Sequence, residues 1–476
     1  MRGSSKWLRR LCAGAIAAVG LALLPASATA TTVTTYTGTT PDAAGPSNYK
    51  IEVPSNWNGT LVLYSHGYSS GPPFGPAAPQ AAEDGPDDAT KGWLLTNGYA
   101  IAGSSYATTG WALQQAFQDQ IAVLDVFKSK GYNATRTIAW GVSLGGMITA
   151  GLVQLFPDRF TAALPMCGVV AGGPGVWNQG LDSEFAFLNL QAPGAFKLAG
   201  FNSFTDAATS YQAAIGAFNQ AQGSATGRAR IALSAALADV PGWFDPASAQ
   251  PAAKDYAAQE VNQLAWDNSP DLFFAFFGRY ELEVRARGNF SWNTGVDYRE
   301  QLSHSVDRAE VDALYKAAGL DLNKDLETLN DAPRISAAAG PKAYITKYIT
   351  YNGDIDMPVL TMHTTGDGLV EVTDENAYAS VVRSTGDSSL LRQVFVHRAG
   401  HCTFTPAETV TAFKSLVHRL DTGRWGSIDP STMNAQATSL GSTFNLAPAS
   451  FINFQPAQFL RPFDARNLDG KSTTGD

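Results

Sequence analysis

The chain has 476 residues, 33 Lys and Arg against 42 Asp and Glu, and a formal net charge of −9. That acidic balance argues against nucleic acid and anionic lipid as partners. With 45% hydrophobic and 16% charged residues the composition is that of a folded, loop-rich chain, and the length allows one large domain with an insertion, or two domains.

The first thirty residues read as a signal peptide. Arg2, Lys6, Arg9 and Arg10 make a basic start, Leu11–Leu24 is an apolar run too short to span a bilayer, and Ala28-Thr29-Ala30 (or Ala26-Ser27-Ala28) offers a cleavage site. Arg9-Arg10 lacks the surroundings of a twin-arginine signal, so general secretion is the better reading. Cleavage would take the charge from −9 to −13 and leave an extracellular protein with no membrane anchor. Of three cysteines, Cys167 and Cys402 remain. An even pair in an exported chain reads as one disulfide, with two separate buried thiols as the alternative.

In chain order, Thr31–Asn48 is Thr-rich and reads as an irregular arm. Tyr49–Val53 alternates as a strand. Thr60–Tyr64 is a continuous apolar run, as in a strand covered on both faces, and ends in Ser65-His66-Gly67-Tyr68. Residues 71–90 form a Pro/Gly/Ala-rich loop, Tyr99–Gly103 a strand, and Trp111–Gly131 an amphipathic helix with Trp111, Leu113, Phe117, Ile121, Leu124 and Phe127 on one stripe. The strand Thr137–Trp140 runs into Gly141-Val142-Ser143-Leu144-Gly145 and a small-residue helix to about Phe156. Thr161–Met166 is another buried strand, ending at Cys167.

Residues 50–170 therefore alternate strand and helix, which predicts a doubly wound parallel sheet with reactive groups at the carboxyl ends of its strands. From 171 to 355 the alternation stops. Helical runs such as Ala252–Trp266 and Arg308–Ala318 predict an inserted, mainly helical cap. Its aromatics (Trp177, Phe185, Phe187, Trp243, Phe244, Trp266, Phe273, Phe274, Phe276, Phe277, Tyr280) are mostly core, the rest lining an acyl or aryl pocket. The sheet resumes with Met357–Met362 and Leu390–Val396. Thr405-Pro406-Ala407-Glu408 is a capping box opening a helix that stops at Gly423. The expected division is 1–30 signal peptide, 31–170 first part of an α/β core, 171–355 cap, 356–422 second part of the core and 423–476 a surface-wrapping extension whose last residues are disordered.

A serine hydroxyl becomes a nucleophile when a base takes its proton and a carboxylate orients the base. Gly-x-Ser-x-Gly between strand and helix nominates Ser143. Asp367 in Gly366-Asp367-Gly368 and His401 in Gly400-His401-Cys402 follow in the order such a triad takes on this kind of sheet. His397 is the rival base, and Asp354, Asp356 and Asp374 are lesser candidates for the acid. His66 reads as fixing its own loop, and His363 as part of the strand before the acid. His304 lies in the cap and His418 on an exposed helix position. The main-chain N–H groups of Leu144 and Tyr68 are the expected oxyanion donors.

Ser65-His66-Gly67-Tyr68, Gly141-Val142-Ser143-Leu144-Gly145, Gly366-Asp367 and Gly400-His401-Cys402 together resemble the α/β-hydrolase superfamily, over residues 50–170 and 355–422. Within it the exported actinobacterial esterase-like members look most similar. The tannase and feruloyl esterase group offers a partial analogy, in which a disulfide joins the cysteine before the serine to the one after the histidine. Here Val142 precedes Ser143 and His401-Cys402 fits, so the resemblance implies Cys167 as the substitute partner of Cys402. The function expected is a secreted carboxylic-ester hydrolase acting on a small-molecule or polymeric ester. A serine peptidase or amidase, an acyltransferase and a non-catalytic binding protein are the alternatives. An exopeptidase would need acids for the substrate amine. Glu281 and Glu283 are candidates, but Arg279, Arg285 and Arg287 around them read as a solvated charge run. No metal or redox cofactor is implied, since the chain has no metal-binding His-Glu-x-x-His or paired Cys-x-x-Cys and no dinucleotide glycine motif.

Overall fold

The computed structural model describes residues 31–40 and 45–468. The signal peptide and the chain's last residues, 469–476, lie outside the described residues. Among the described residues, no helix is long and apolar enough to cross a membrane.

The described residues hold one nine-stranded sheet, ordered β1-β2-β4-β3-β5-β6-β7-β8-β9. The strands are β1 Val33–Thr40, β2 Ser47–Pro54, β3 Thr60–Ser65, β4 Ala100–Ser104, β5 Arg136–Val142, β6 Ala162–Met166, β7 Val359–Gly366, β8 Leu391–Ala399 and β9 Phe451–Ile452. From β4 through β8 every neighbouring pair is parallel; β1, β2 and β9 join antiparallel at the edges. The central strands β3 and β6 are buried along their whole length, which is why they read as uninterrupted apolar runs. Helix α1 (Asp88–Thr96) covers one face with the helix Pro406–Thr422. Helices α2 (Leu113–Ser129) and α3 (Leu144–Leu155) pack on the other, with Phe117, Leu124 and Phe127 of the expected stripe buried and Ile121 half-buried. Helix α3 is apolar all round and buried from Leu144 to Val153, a helix that belongs inside a large protein.

Between β6 and β7 the chain is helical, from Gly173–Gln191 to Ala339–Lys347. This cap has its own apolar core, in which Phe187 stacks on Phe218 at 3.5 Å beside Phe185, Phe276 and Leu326.

Three expectations fail locally. Thr31–Asn48 is not an irregular arm: Val33–Thr40 pairs antiparallel with β2. Seven of its eight residues are exposed or half-buried, so no buried face imposes an alternating pattern that could be read. The stretch after Gly423 contains the helix Pro430–Thr438, and its β9 extends the sheet beside β8, with Phe395 opposite Ile452. A two-residue strand carries too few positions for a period. Finally, the charge run from Arg279 to Arg287 is only partly solvated: Arg287 is exposed and Glu281 and Arg285 are half-buried, but Arg279 is only 1% exposed and Glu283 3%, because the helix Arg279–Ala286 is wedged between the cap and the sheet's core.

Candidate active site

Ser143 sits at the turn from β5 into α3 with φ +57° and ψ −126°, a conformation that costs a non-glycine residue of order 1–3 kcal/mol. The neighbouring glycines permit it by close approach. A Cβ on Gly145 would lie 1.9 Å from the Ser65 carbonyl oxygen, and one on Gly141 would lie 2.3 Å from that of Gly145. The Ser143 N–H donates to the Met166 carbonyl at 3.0 Å, tying the turn to the end of β6.

From Ser143 an unbroken hydrogen-bond chain runs through the loops after β8 and β7. His401 Nε2 is 2.8 Å from Ser143 Oγ, and His401 Nδ1 is 2.8 Å from Asp367 Oδ2. Asp367 Oδ1 accepts the N–H groups of Leu369 and Val370, each at 3.1 Å, which fixes the carboxylate plane. Gly400 N–H donates to the Gly366 carbonyl at 2.9 Å, which ties the two loops to each other. Cys402 is bonded to Cys167, which anchors the histidine loop to the end of β6 beside the serine turn.

The rivals fall elsewhere. His397 is exposed, and its ring lies 5.1 Å from Trp243. Asp354 and Asp356 are exposed, and Asp374 accepts the Ala171 N–H at 3.0 Å. His66 Nδ1 is 2.8 Å from its neighbour's carbonyl at Gly67 and its ring stacks on Tyr106 at 4.0 Å, so it shapes the loop that carries Tyr68. That loop borders the serine: a Cβ on Gly67 would lie 3.4 Å from Ser143 Cβ. Among the described residues, neither the Leu144 nor the Tyr68 main-chain N–H has a hydrogen-bond partner.

One contributor was missed. His363, buried in β7, lies 3.0 Å from Glu375 Oε1 and 3.6 Å from Asp367 Oδ2, and its Nε2 is 2.9 Å from the Val370 carbonyl. Burial disfavours its charge, but Asp367 and Glu375 outweigh that and push its pKa up to about 10. Burial would likewise raise Asp367; the neighbouring His401 and His363 overcome it and hold the carboxyl at about 2. An imidazolium thus backs the carboxylate. The available signal was the spacing, a histidine four residues before the acid at a strand end.

The serine opens on a cleft of about 870 Å³, part of it open to solvent, walled by Tyr68, Trp111, Trp177 and Phe274. One side comes from the kinked segment Asp267–Asp271, broken at the extended Ser269, and the wide π-helical turn Phe274–Gly278, which bring Asp267, Asp271 and Phe274 to the cleft wall. Such widened turns recur at functional sites. Most other cap aromatics are core: Phe185, Phe187, Phe276 and Trp266 are buried away from the cleft. Glu281 and Glu283 are not free acids. Glu281 accepts the Trp111 N–H at 3.0 Å and pairs with Arg285 at 2.6 Å, and Glu283 accepts the N–H groups of Gly200 and Phe201 at 2.7 and 2.8 Å.

Residues 98–172, from just before β4 to just after β6, match the prolyl oligopeptidase family. The chain is 29% identical over 428 residues to an o-phthalyl amidase of Xanthobacter agilis, covering 83% of this chain and 90% of that protein. Among solved structures it is similar to feruloyl esterase B of Aspergillus oryzae (15% identity, 82% of this chain and 80% of that one, TM-score 0.40). It is also similar to the rice cell wall degrading esterase LipA of Xanthomonas oryzae (14% identity, 82% and 90%, TM-score 0.36).

Proposed function

We propose that the chain is a serine hydrolase of the α/β-hydrolase kind and that it transfers an aromatic acyl group from an ester or amide to water through an acyl-enzyme on Ser143. The observation that carries this reading is the chain Ser143–His401–Asp367, with both links at 2.8 Å, opening on a cleft with aromatic walls.

In this reading His401 takes the Ser143 proton as Oγ attacks the carbonyl carbon. Asp367 keeps His401 in the tautomer that presents Nε2 to the serine and stabilises the imidazolium that forms. The N–H groups of Leu144 and Tyr68 receive the oxyanion, the first at the N-terminus of α3, where partial positive charge collects. One such donor contributes roughly 3 kcal/mol in the transition state. His401 then protonates the leaving alcohol or amine, and a water activated by the same histidine releases the acid.

Ester cleavage is the first expectation from the sequence; amide cleavage is favoured by the likeness to the o-phthalyl amidase. The two share one acyl-enzyme and differ in the leaving group. A panel pairing phenyl esters and anilides of aliphatic and aromatic acids tests the reading. Aromatic acyl groups should lead in kcat/KM, with Ser143→Ala inactive on all. Equal rates for butyryl and benzoyl compounds would remove the aromatic preference, and full activity in Ser143→Ala would remove the mechanism. Export through residues 1–30 belongs to the same proposal, and the disulfide and the lack of a membrane-crossing helix among the described residues are compatible with it.

A further inference from the structure

The charge run that reads as solvated in the sequence leaves one residue of an unexpected kind in the cleft. Arg279, 1% exposed, lines it together with Ser143. Its guanidinium donates to Ser291 Oγ at 2.9 Å and to the Trp177 carbonyl at 3.3 Å, and lies 5.3 Å from the ring centres of Trp177 and Phe290. All of these partners are neutral. Among the described residues, no carboxylate oxygen comes within ion-pair distance of it. A guanidinium has five N–H donors in a fixed fork that matches a carboxylate; burial disfavours the charge of this one, and Glu283 and Glu184 offset that only through space, without a direct ion pair.

Four acids face the same cleft: Glu184, Asp267, Asp271 and Glu371. Burial pushes Glu184 up to about 7, and burial and mutual repulsion push Asp267, Asp271 and Glu371 well above the usual carboxylate range. Burial thus favours the neutral, hydrogen-bond-donating form of each over the carboxylate. Asp267 Oδ2 has no hydrogen-bond partner among the described residues, so this wall keeps free capacity toward an occupant. The nearby Glu283 is already engaged by two main-chain N–H groups.

We infer that Arg279 binds an ionised carboxylate carried by the acyl portion of the substrate. The preferred substrates are then esters or amides of aromatic diacids, of which a 2-carboxybenzoyl compound is the simplest. The inference rests on the reading of Ser143 as acyl acceptor: the aromatic walls hold the ring, Ser143 meets one carbonyl and Arg279 takes the other carboxyl. It also assigns a residue to the preference suggested by the similar amidase, through a side chain that sequence patterning hides.

Calorimetric titration of the intact wild-type protein at pH 6.5 with phthalate, benzoate, benzamide and benzylamine tests it without any turnover. Phthalate should bind at least tenfold more tightly than benzamide, and benzylamine most weakly. Tightest binding of benzylamine would show that the four acids act as carboxylates for a cation, and phthalate no better than benzamide would show that Arg279 is structural; either result overturns the inference. Arg279→Gln and Arg279→Lys then read specificity: the kcat/KM ratio of 2-carboxybenzoyl over benzoyl substrates should fall about 100-fold in the first and less in the second. An unchanged ratio contradicts the inference, and if neither variant folds the wild-type titrations decide. Labelling of Ser143 by a fluorophosphonate, measured in parallel, tests the hydrolase reading separately.

Discussion

His363 shows how one buried side chain sets the charge of its neighbours. Its pKa is raised to about 10, so relative to an unfolded histidine it contributes stability fully present below about 6.5 and lost as pH climbs through 10. Asp367, lowered to about 2, contributes stability present above about 4 and lost as pH falls through 2. Both contributions are therefore intact between about pH 4 and 6.5. Replacing His363 by Gln leaves Glu375 and Asp367 buried without their shared cation, a loss on the order of 3–5 kcal/mol. We expect chemical denaturation of His363→Gln to show that loss at pH 6 and much less of it at pH 10.5. Equal destabilisation at both values would mean the histidine acts by packing alone.

Among the elements, legibility followed burial. Strands β3, β5 and β6 were readable because both faces are covered, and the capping box of Pro406–Thr422 because its chemistry is local; Thr405 and Glu408 make both reciprocal hydrogen bonds. Strand β1 was not, since exposed residues carry no period. Ser143, Asp367 and His401 stood out because each occupies a Gly-flanked strand end. Arg279 did not, since a charged residue among charged residues looks solvated until the packing of its helix is known. The disulfide acts at this scale too. It closes a loop of 235 residues, worth on the order of 5 kcal/mol by chain entropy, and it holds the His401 loop against β6. Reduction, or Cys402→Ser, should lower kcat more than it raises KM and leave the far-ultraviolet circular dichroism intact at 25 °C. If kcat survives reduction, the loop is held by Asp367 and Gly400 without help from the disulfide.

At the scale of the whole molecule, the buried acids decide how stability responds to pH. Burial raises Glu184, Asp239 and Glu260 to about 7 and Glu310 and Asp374 to about 8. Between about pH 4 and 8 the folded chain thus holds more protons than the unfolded one, so stability falls as pH rises through that range. Scanning calorimetry should place the highest Tm near pH 5 and a steady decline toward pH 8; a Tm that rises over that interval would show these carboxyls to be solvated or paired. Glu184 among them lines the cleft, so the pH that favours the fold also favours the neutral form of that side chain there. The hydrolase reading requires Ser143 to be the acyl acceptor, and intact-protein mass spectrometry after fluorophosphonate treatment measures this. One adduct is expected, mapping to Ser143 and absent from Ser143→Ala; no adduct on the folded wild type, or an adduct on another residue, would rule out Ser143 as the nucleophile.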